Sequence, residues 1–217
     1  MIVLAHAGIG LLPDHETVMF LLPALPVLLI ATIVLGATLE QRGAFGPAGR
    51  MVSVGMPLAV IAAALSLAAA GIHFAVIQEH LEVDLAEGLF FFGLGWFQLI
   101  WAQVYLLRAH PRVAAVAVWV NVAVVLTWFV SRTIGLPLGA QPWVPEPVGL
   151  ADLLATSFEV GLIGLLLPSL APERFARVVH AQLPVQKAFV LAAFMIVTVS
   201  LLTGLALVPG AFELLSF

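Results

Sequence analysis

Residues 52–77 read VSVGMPLAVIAAALSLAAAGIHFAVI, and this stretch decides the fold. It contains no Asp, Glu, Lys or Arg. At about 1.5 Å per residue, a helix of this length exceeds the roughly 30 Å of hydrocarbon in a bilayer. A helix that is apolar on all sides has no face to turn toward water. We therefore predict a transmembrane helix in this stretch.

The composition of the whole chain extends this prediction to the protein as a whole. Of the 217 residues, 63% are hydrophobic and only 9% are charged, with a mean hydropathy of +1.16. Soluble domains carry roughly 25% charged residues, so a soluble enzyme is excluded, and so is a disordered chain. Eight Lys and Arg against twelve Asp and Glu leave no basic field for nucleic acid. The absence of Cys excludes disulfides and thiolate metal sites.

Six segments are long and apolar enough to cross a bilayer. Their predicted limits are Thr17–Leu39, Val52–Ile77, Leu89–Leu107, Val113–Val130, Leu150–Leu170 and Ala188–Val208. Together they predict an all-α bundle of six transmembrane helices in a single integral membrane domain over residues 1–217. The connection from Pro172 to Pro184 is expected to form a short interfacial helix, because its apolar residues recur at helical spacing beside two arginines.

The distribution of positive charge predicts the orientation of the bundle. Seven of the eight cations fall in the first, third and fifth connections: Arg42, Arg50, Arg108, Arg112, Arg174, Arg177 and Lys187. The positive-inside rule places these connections in the cytoplasm, so both termini face outward. No cleavable signal peptide is expected, because Met1–Leu4 is too short for an apolar h-region and no basic residue precedes it.

Histidines and carboxylates collect on the predicted outer side of the second span. His73 and His80 are seven residues apart, so on a continuous helix they share one stripe, about 10 Å from each other. Glu87 extends this stripe if the helix continues that far. Such acidic, imidazole-rich surroundings attract cations.

The fifth span carries a matching face. Asp152 lies at its outer mouth, and Glu159 lies two turns deeper, at the predicted depth of His73. A carboxylate facing lipid costs several kcal/mol, so Glu159 must point inward and be paired, protonated or metal-bound. We expect His73 and Glu159 to face each other in an outward-opening polar cavity. The alternative is a buried pair that only fixes helix register.

The third and fourth spans also carry polar stripes and are expected to line the same cavity. Gln98 shares a stripe with Glu87 on the third span, and Asn121 shares one with Arg132 on the fourth. Residues 131–149, which contain Trp143, hold four prolines and three glycines and predict a structured outer loop between helices 4 and 5. Arg132 at the base of this loop is expected to pair with Asp152, Glu146 or Glu87, or else to bind an anionic ligand group.

Several strings resemble those of a family of small bacterial polytopic membrane proteins without an assigned activity. They are HFAVIQEHLEVD followed by GLFFFGLGWFQLIWAQ, and SRTIGLPLG with PEPVGLAD, within about residues 70 to 160. The resemblance implies that the outward features belong together and that the protein resides in the bacterial cytoplasmic membrane. It implies no cofactor and no catalytic residue.

The donor set permits more than one chemistry. His73, His80, Glu87, Asp152 and Glu159 are the candidate metal ligands, and imidazole with carboxylate suits Zn(II), Fe(II), Mn(II) or Cu(II). Haem is not favoured, because only His73 lies clearly inside a span. No nucleotide site is expected. Without metal, the same residues could relay protons.

The leading hypothesis is metal-ion or proton-coupled transport or binding of a small ion or molecule from the outer side. Arg132, Gln98, Asn121 and Trp143 are the candidate substrate contacts. The alternatives are a membrane-embedded metal-dependent enzyme and a noncatalytic subunit of a membrane complex. The oligomeric state is open.

Overall fold

The computed structural model describes residues 15–47, 50–139 and 141–207. This part of the chain contains seven α-helices and one small two-stranded sheet. The helices are α1 (His15–Gln41), α2 (Gly55–Val83), α3 (Leu85–Leu107), α4 (Pro111–Thr133), α5 (Leu150–Leu166), α6 (Pro172–Val179) and α7 (Val185–Ala206). A 3₁₀ turn, Leu167–Leu170, extends α5, and the strands are β1 (Met51–Ser53) and β2 (Gln182–Pro184).

Five of these helices are long and apolar enough to cross a membrane: Gly55–Val83, Leu85–Leu107, Pro111–Thr133, Leu150–Leu170 and Val185–Leu205. They fit a multi-pass integral membrane protein and coincide with five of the predicted spans. The stretch Val27–Gln41 of α1 is also apolar but is shorter than these five helices. The count of six spans and the orientation of the bundle therefore stay predictions.

The helix α2 lies at the centre of the bundle and packs against α3, α5 and α7. Its contact surfaces are rich in alanine, with Ala62, Ala63 and Ala69 buried almost completely. On α4, Ala114 and Ala117 are fully buried in the same core. Small residues let helix backbones approach closely, which is how helices associate where no hydrophobic effect operates between them. Large apolar side chains lie mostly on the outside, as a lipid environment allows.

The sheet is a feature that the sequence did not predict. β1 and β2 pair antiparallel, with Val52 opposite Leu183. The helix predicted over Pro172–Pro184 therefore ends at Val179, and its last residues form a strand instead. A three-residue strand has no periodicity to detect, and its hydrogen-bonding partner lies far away in the chain.

A sharp turn at Asp84 separates α2 from α3 and positions the residues beside it. Asp84 has extended backbone dihedrals, and its carboxylate accepts hydrogen bonds from the backbone N–H of Ala86 (2.8 Å) and Glu87 (3.3 Å). This is an N-cap, which satisfies N–H groups at the start of α3. Glu87 was expected to extend the α2 stripe only if the helix continued that far, and it does not, because the capped turn places Glu87 in the first turn of α3.

Candidate functional site

A buried histidine–glutamate pair connects two helices, α2 and α5, in the middle of the bundle. His73 on α2 and Glu159 on α5 are 4% and 1% exposed, and Nε2 of the imidazole lies 3.0 Å from Oε1 of the carboxylate. The prediction that these two side chains face each other is confirmed. Nδ1 of His73 is buried and has no hydrogen-bond partner among the described residues.

Two side-chain amides on neighbouring helices extend this pair into a hydrogen-bond network. Gln98 on α3 donates from Nε2 to Glu159 Oε1 (3.0 Å) and to Asn121 Oδ1 (3.4 Å). Asn121 on α4 donates in turn to the carbonyl of Ala117 (2.8 Å), and Ser66 on α2 donates to the carbonyl of Gln98 (2.9 Å). Four helices thus meet in one buried polar layer. Each amide is fully buried, as a membrane interior requires of polar groups that cannot reach water.

A cavity of about 230 Å³ opens above this layer, toward the end of the bundle that the charge distribution predicts to face outward. His73 and Glu159 lie at its floor. Its wall is apolar and partly aromatic, and includes Ile72, Val76, Phe90, Phe91, Val124 and Trp128. The prediction that the third and fourth spans line the cavity is confirmed for α3 and α4. Gln98 and Asn121 themselves do not line it, because their hydrogen bonds hold them beneath the floor, which they close.

A second histidine and glutamate pair lies nearer the mouth. His80 Nδ1 is 3.3 Å from Glu87 Oε2, and both side chains are partly exposed. The ring of Phe91 lies beside both histidines, with its centroid 4.2 Å from that of His80 and 5.5 Å from that of His73. The two pairs are therefore linked along the cavity wall by one aromatic ring.

At the mouth of the cavity, Arg132 of α4 connects the following loop to α5 through ion pairs. Its side chain is 9% exposed and pairs with two carboxylates, Glu146 of the loop and Asp152 of α5, the latter at 2.7 Å. Asp152 also accepts a hydrogen bond from the backbone N–H of Gly149 (3.2 Å). The predicted salt bridge of Arg132 is confirmed. Because two carboxylates already contact Arg132, the alternative that it binds an anionic ligand group is not favoured.

The loop between α4 and α5 is turned back on itself and partly covers the mouth. The backbone N–H of Glu146 donates to Ser131 (3.0 Å), and that of Trp143 donates to Leu136 (2.7 Å). Leu136 and Leu138 line the cavity. Trp143 is 62% exposed and does not line it, so the expectation of a contact between Trp143 and a ligand in the cavity is not supported.

The five candidate metal ligands fall into three separate contacts. These are His73 with Glu159, His80 with Glu87, and Asp152 with Arg132. Within the described residues, no three His, Asp or Glu side chains come together as a metal site requires. Protein zinc sites take three or four protein ligands, and the larger divalent ions take more. Metal ligation by these residues stays a prediction, because each His–Glu pair supplies only two donors and the contact of Asp152 with Arg132 supplies only one.

Sequence reasoning missed several residues that build the site. Ser66 is the clearest case, because it precedes His73 by seven residues, as His73 precedes His80, and so shares their stripe. Phe90 in the wall carried no such signal. An aromatic side chain in a span points to lipid or to the core with equal ease.

No protein-family model, curated protein or solved structure matches this chain. The function is therefore argued from the contacts of the site.

Proposed function

We propose that this multi-pass membrane protein binds a small cation in the cavity from the outer side, and that binding is linked to protonation of the His73–Glu159 pair. The observation that carries the proposal is this pair, buried at the floor of a cavity that reaches the mouth of the bundle. A pair placed only to fix helix register has no need of a cavity above it.

The charges around the cavity support a cation as the ligand. The ionisable side chains that line it are one guanidinium, two imidazoles and four carboxylates: Arg132, His73, His80, Glu87, Glu146, Asp152 and Glu159. Two of the carboxylates contact Arg132, one more than its single positive charge requires. The excess of negative charge, enclosed by apolar walls, raises the local concentration of cations. The aromatic wall adds faces that attract organic cations.

The burial of the pair supports the link to a proton. An ionised carboxylate in this environment needs a compensating positive charge, and an imidazolium at His73 can supply it. A ligand cation that approaches Glu159 can replace that charge, so the proton leaves. Nδ1 of His73 has no partner among the described residues, and this leaves one ring nitrogen for a ligand or a water molecule.

The closed floor of the cavity favours binding over transport. Below the polar layer the described core is mostly apolar, with Trp101, Val118 and Leu162 buried, and its polar groups are the separate hydroxyls of Tyr105 and Ser169. Transport across the membrane would require a second conformation in which this layer opens. A metal ion as the cation would require further ligands beside each pair.

Because the cavity is closed at its floor, a second candidate is a membrane-embedded enzyme. In this enzyme His73 would act as a general base oriented by Glu159. The two candidates differ in their product. An enzyme would convert its ligand, whereas a binding protein would release it unchanged.

The test measures protons and cations together in purified protein. Tetramethylammonium and Zn²⁺ serve as probe cations in weakly buffered solution, with a pH indicator to count released protons and isothermal titration calorimetry to measure binding. Either probe should bind the wild type and release protons, and Glu159→Gln should abolish both effects. Glu79→Gln is the matched control, because Glu79 is an exposed carboxylate on α2. Binding without proton release, or equal binding to Glu159→Gln, would contradict the proposal.

A further inference from the structure

A groove of about 830 Å³ lies at the opposite end of the bundle from the cavity, between α5 with its 3₁₀ turn and α6. One part of its lining is apolar and includes Gly164, Leu167 and Leu170. The other part carries Arg174 and Arg177 of α6. The groove therefore joins a lipid-accessible surface to two positive charges.

The apolar part is open to the surroundings of the bundle. Leu167 and Leu170 are 53% and 42% exposed. A Cβ atom placed on Gly164 would meet no atom within 4 Å, so the space beside this glycine is open. Because α5 is one of the spans, this surface is at the depth of acyl chains rather than of water.

The helix α6 is held so that its arginines stay at the groove. Phe175 is 4% exposed and belongs to the hydrophobic core, which anchors the helix to the bundle. Arg174 and Arg177 are three residues apart, so they are neighbours on the helix surface, and both are exposed. Such an amphipathic helix is typical of the membrane interface.

Neither arginine has an acidic partner in the part of the chain that the structure describes. Every ion pair there that involves a lysine or arginine belongs to Arg132, at the other end of the bundle. Two uncompensated guanidinium groups side by side match the geometry of a phosphate group, which they can bind through paired hydrogen bonds.

We propose that this groove binds an anionic phospholipid, with the phosphate between Arg174 and Arg177 and an acyl chain along Leu167 and Leu170. The charge selects an anionic headgroup, and the apolar part accounts for a lipid rather than a free anion. The positive-inside prediction places this end of the bundle at the cytoplasmic leaflet, where anionic lipids attract clustered arginines.

The experiment titrates phosphatidylglycerol into the full-length protein in detergent and counts bound lipids by native mass spectrometry. Phosphatidylcholine and inorganic phosphate are separate arms. Arg174→Gln/Arg177→Gln should bind phosphatidylglycerol at least about tenfold more weakly than the wild type. Arg108→Gln/Arg112→Gln is the matched control, since it removes two exposed arginines outside the groove and should bind as the wild type does.

A third variant tests the acyl part without a change of charge. Gly164→Leu fills the open space beside α5 and should weaken lipid binding, while its effect on helix stability is favourable. Equal affinity for the two lipids, or equal affinity of the two arginine double variants, would overturn the proposal. So would competition by inorganic phosphate together with unchanged binding to Gly164→Leu. Glu159→Gln should retain lipid binding, so failure here is separable from failure of the proposed cation site.

Discussion

Glu159→Leu should destabilise the protein strongly, and Glu159→Gln only weakly. The leucine removes the acceptor shared by His73 and Gln98, both of which are buried. His73 then has no partner at either ring nitrogen, while Gln98 keeps its longer contact to Asn121. An unpaired buried polar group costs about 1–3 kcal/mol, and because His73 is the one group left without a partner, this is also the expected loss.

The glutamine variant separates hydrogen bonding from charge. Its side-chain oxygen can still accept from His73 and Gln98, and single hydrogen bonds between transmembrane helices contribute about 0.6 kcal/mol on average. We therefore expect Glu159→Gln to lose about 1 kcal/mol or less. Glu79→Leu, at an exposed position on α2, should change the free energy of unfolding by no more than about 0.5 kcal/mol.

The assay is reversible unfolding by sodium dodecyl sulfate in mixed micelles, with the free energy of unfolding extrapolated to zero denaturant. If Glu159→Leu loses less than about 1 kcal/mol, the reasoning about unpaired donors is refuted, because water must then reach His73 and Gln98. If both variants lose the same large amount, the charge of Glu159 rather than its hydrogen bonds holds the network.

Three further predictions concern the mouth and the orientation of the bundle. Arg132→Gln should free the loop after α4, because it removes both ion pairs at the mouth, and limited proteolysis should then cleave this loop faster than in the wild type. Gly139→Ala should lose about 1 kcal/mol or more in thermal unfolding, since φ is +90° there and a Cβ would collide with Glu87, whereas Gly93→Ala meets nothing and should be neutral or stabilising. In this cysteine-free chain, an impermeant maleimide added to intact cells should label Gln141→Cys but not Ala44→Cys, and the reverse result would invert the predicted orientation.

The helices could be predicted because a bilayer imposes a length and a composition on each span. α3, α4 and α7 begin and end within four residues of the predicted limits. The depth of a residue follows from its position in the span, and this is why His73 and Glu159 could be matched before any contact was known. An ionisable group at that depth has to find a partner inside the protein.

The turn at Asp84 could not be predicted from helical periodicity. The capping carboxylate and the extended backbone bring Glu87 onto α3 and still leave it within reach of His80. Periodicity describes one helix at a time, so it treated these residues as a single stripe. The β1–β2 pairing is a similar case, because each strand is defined only by the other.

The amino-acid order alone determined that this chain resides in a membrane, where its apolar helices lie along the sequence, and which ionisable groups are buried too deeply to stay unpaired. Those conclusions depend only on transfer energies and on the rise of a helix. Only tertiary packing decided that Gln98 and Asn121 close the cavity floor instead of lining it, and that Trp143 faces away from it. The rotation of each helix about its axis sets these positions, and that rotation is fixed by close contacts among α2, α3, α4 and α5.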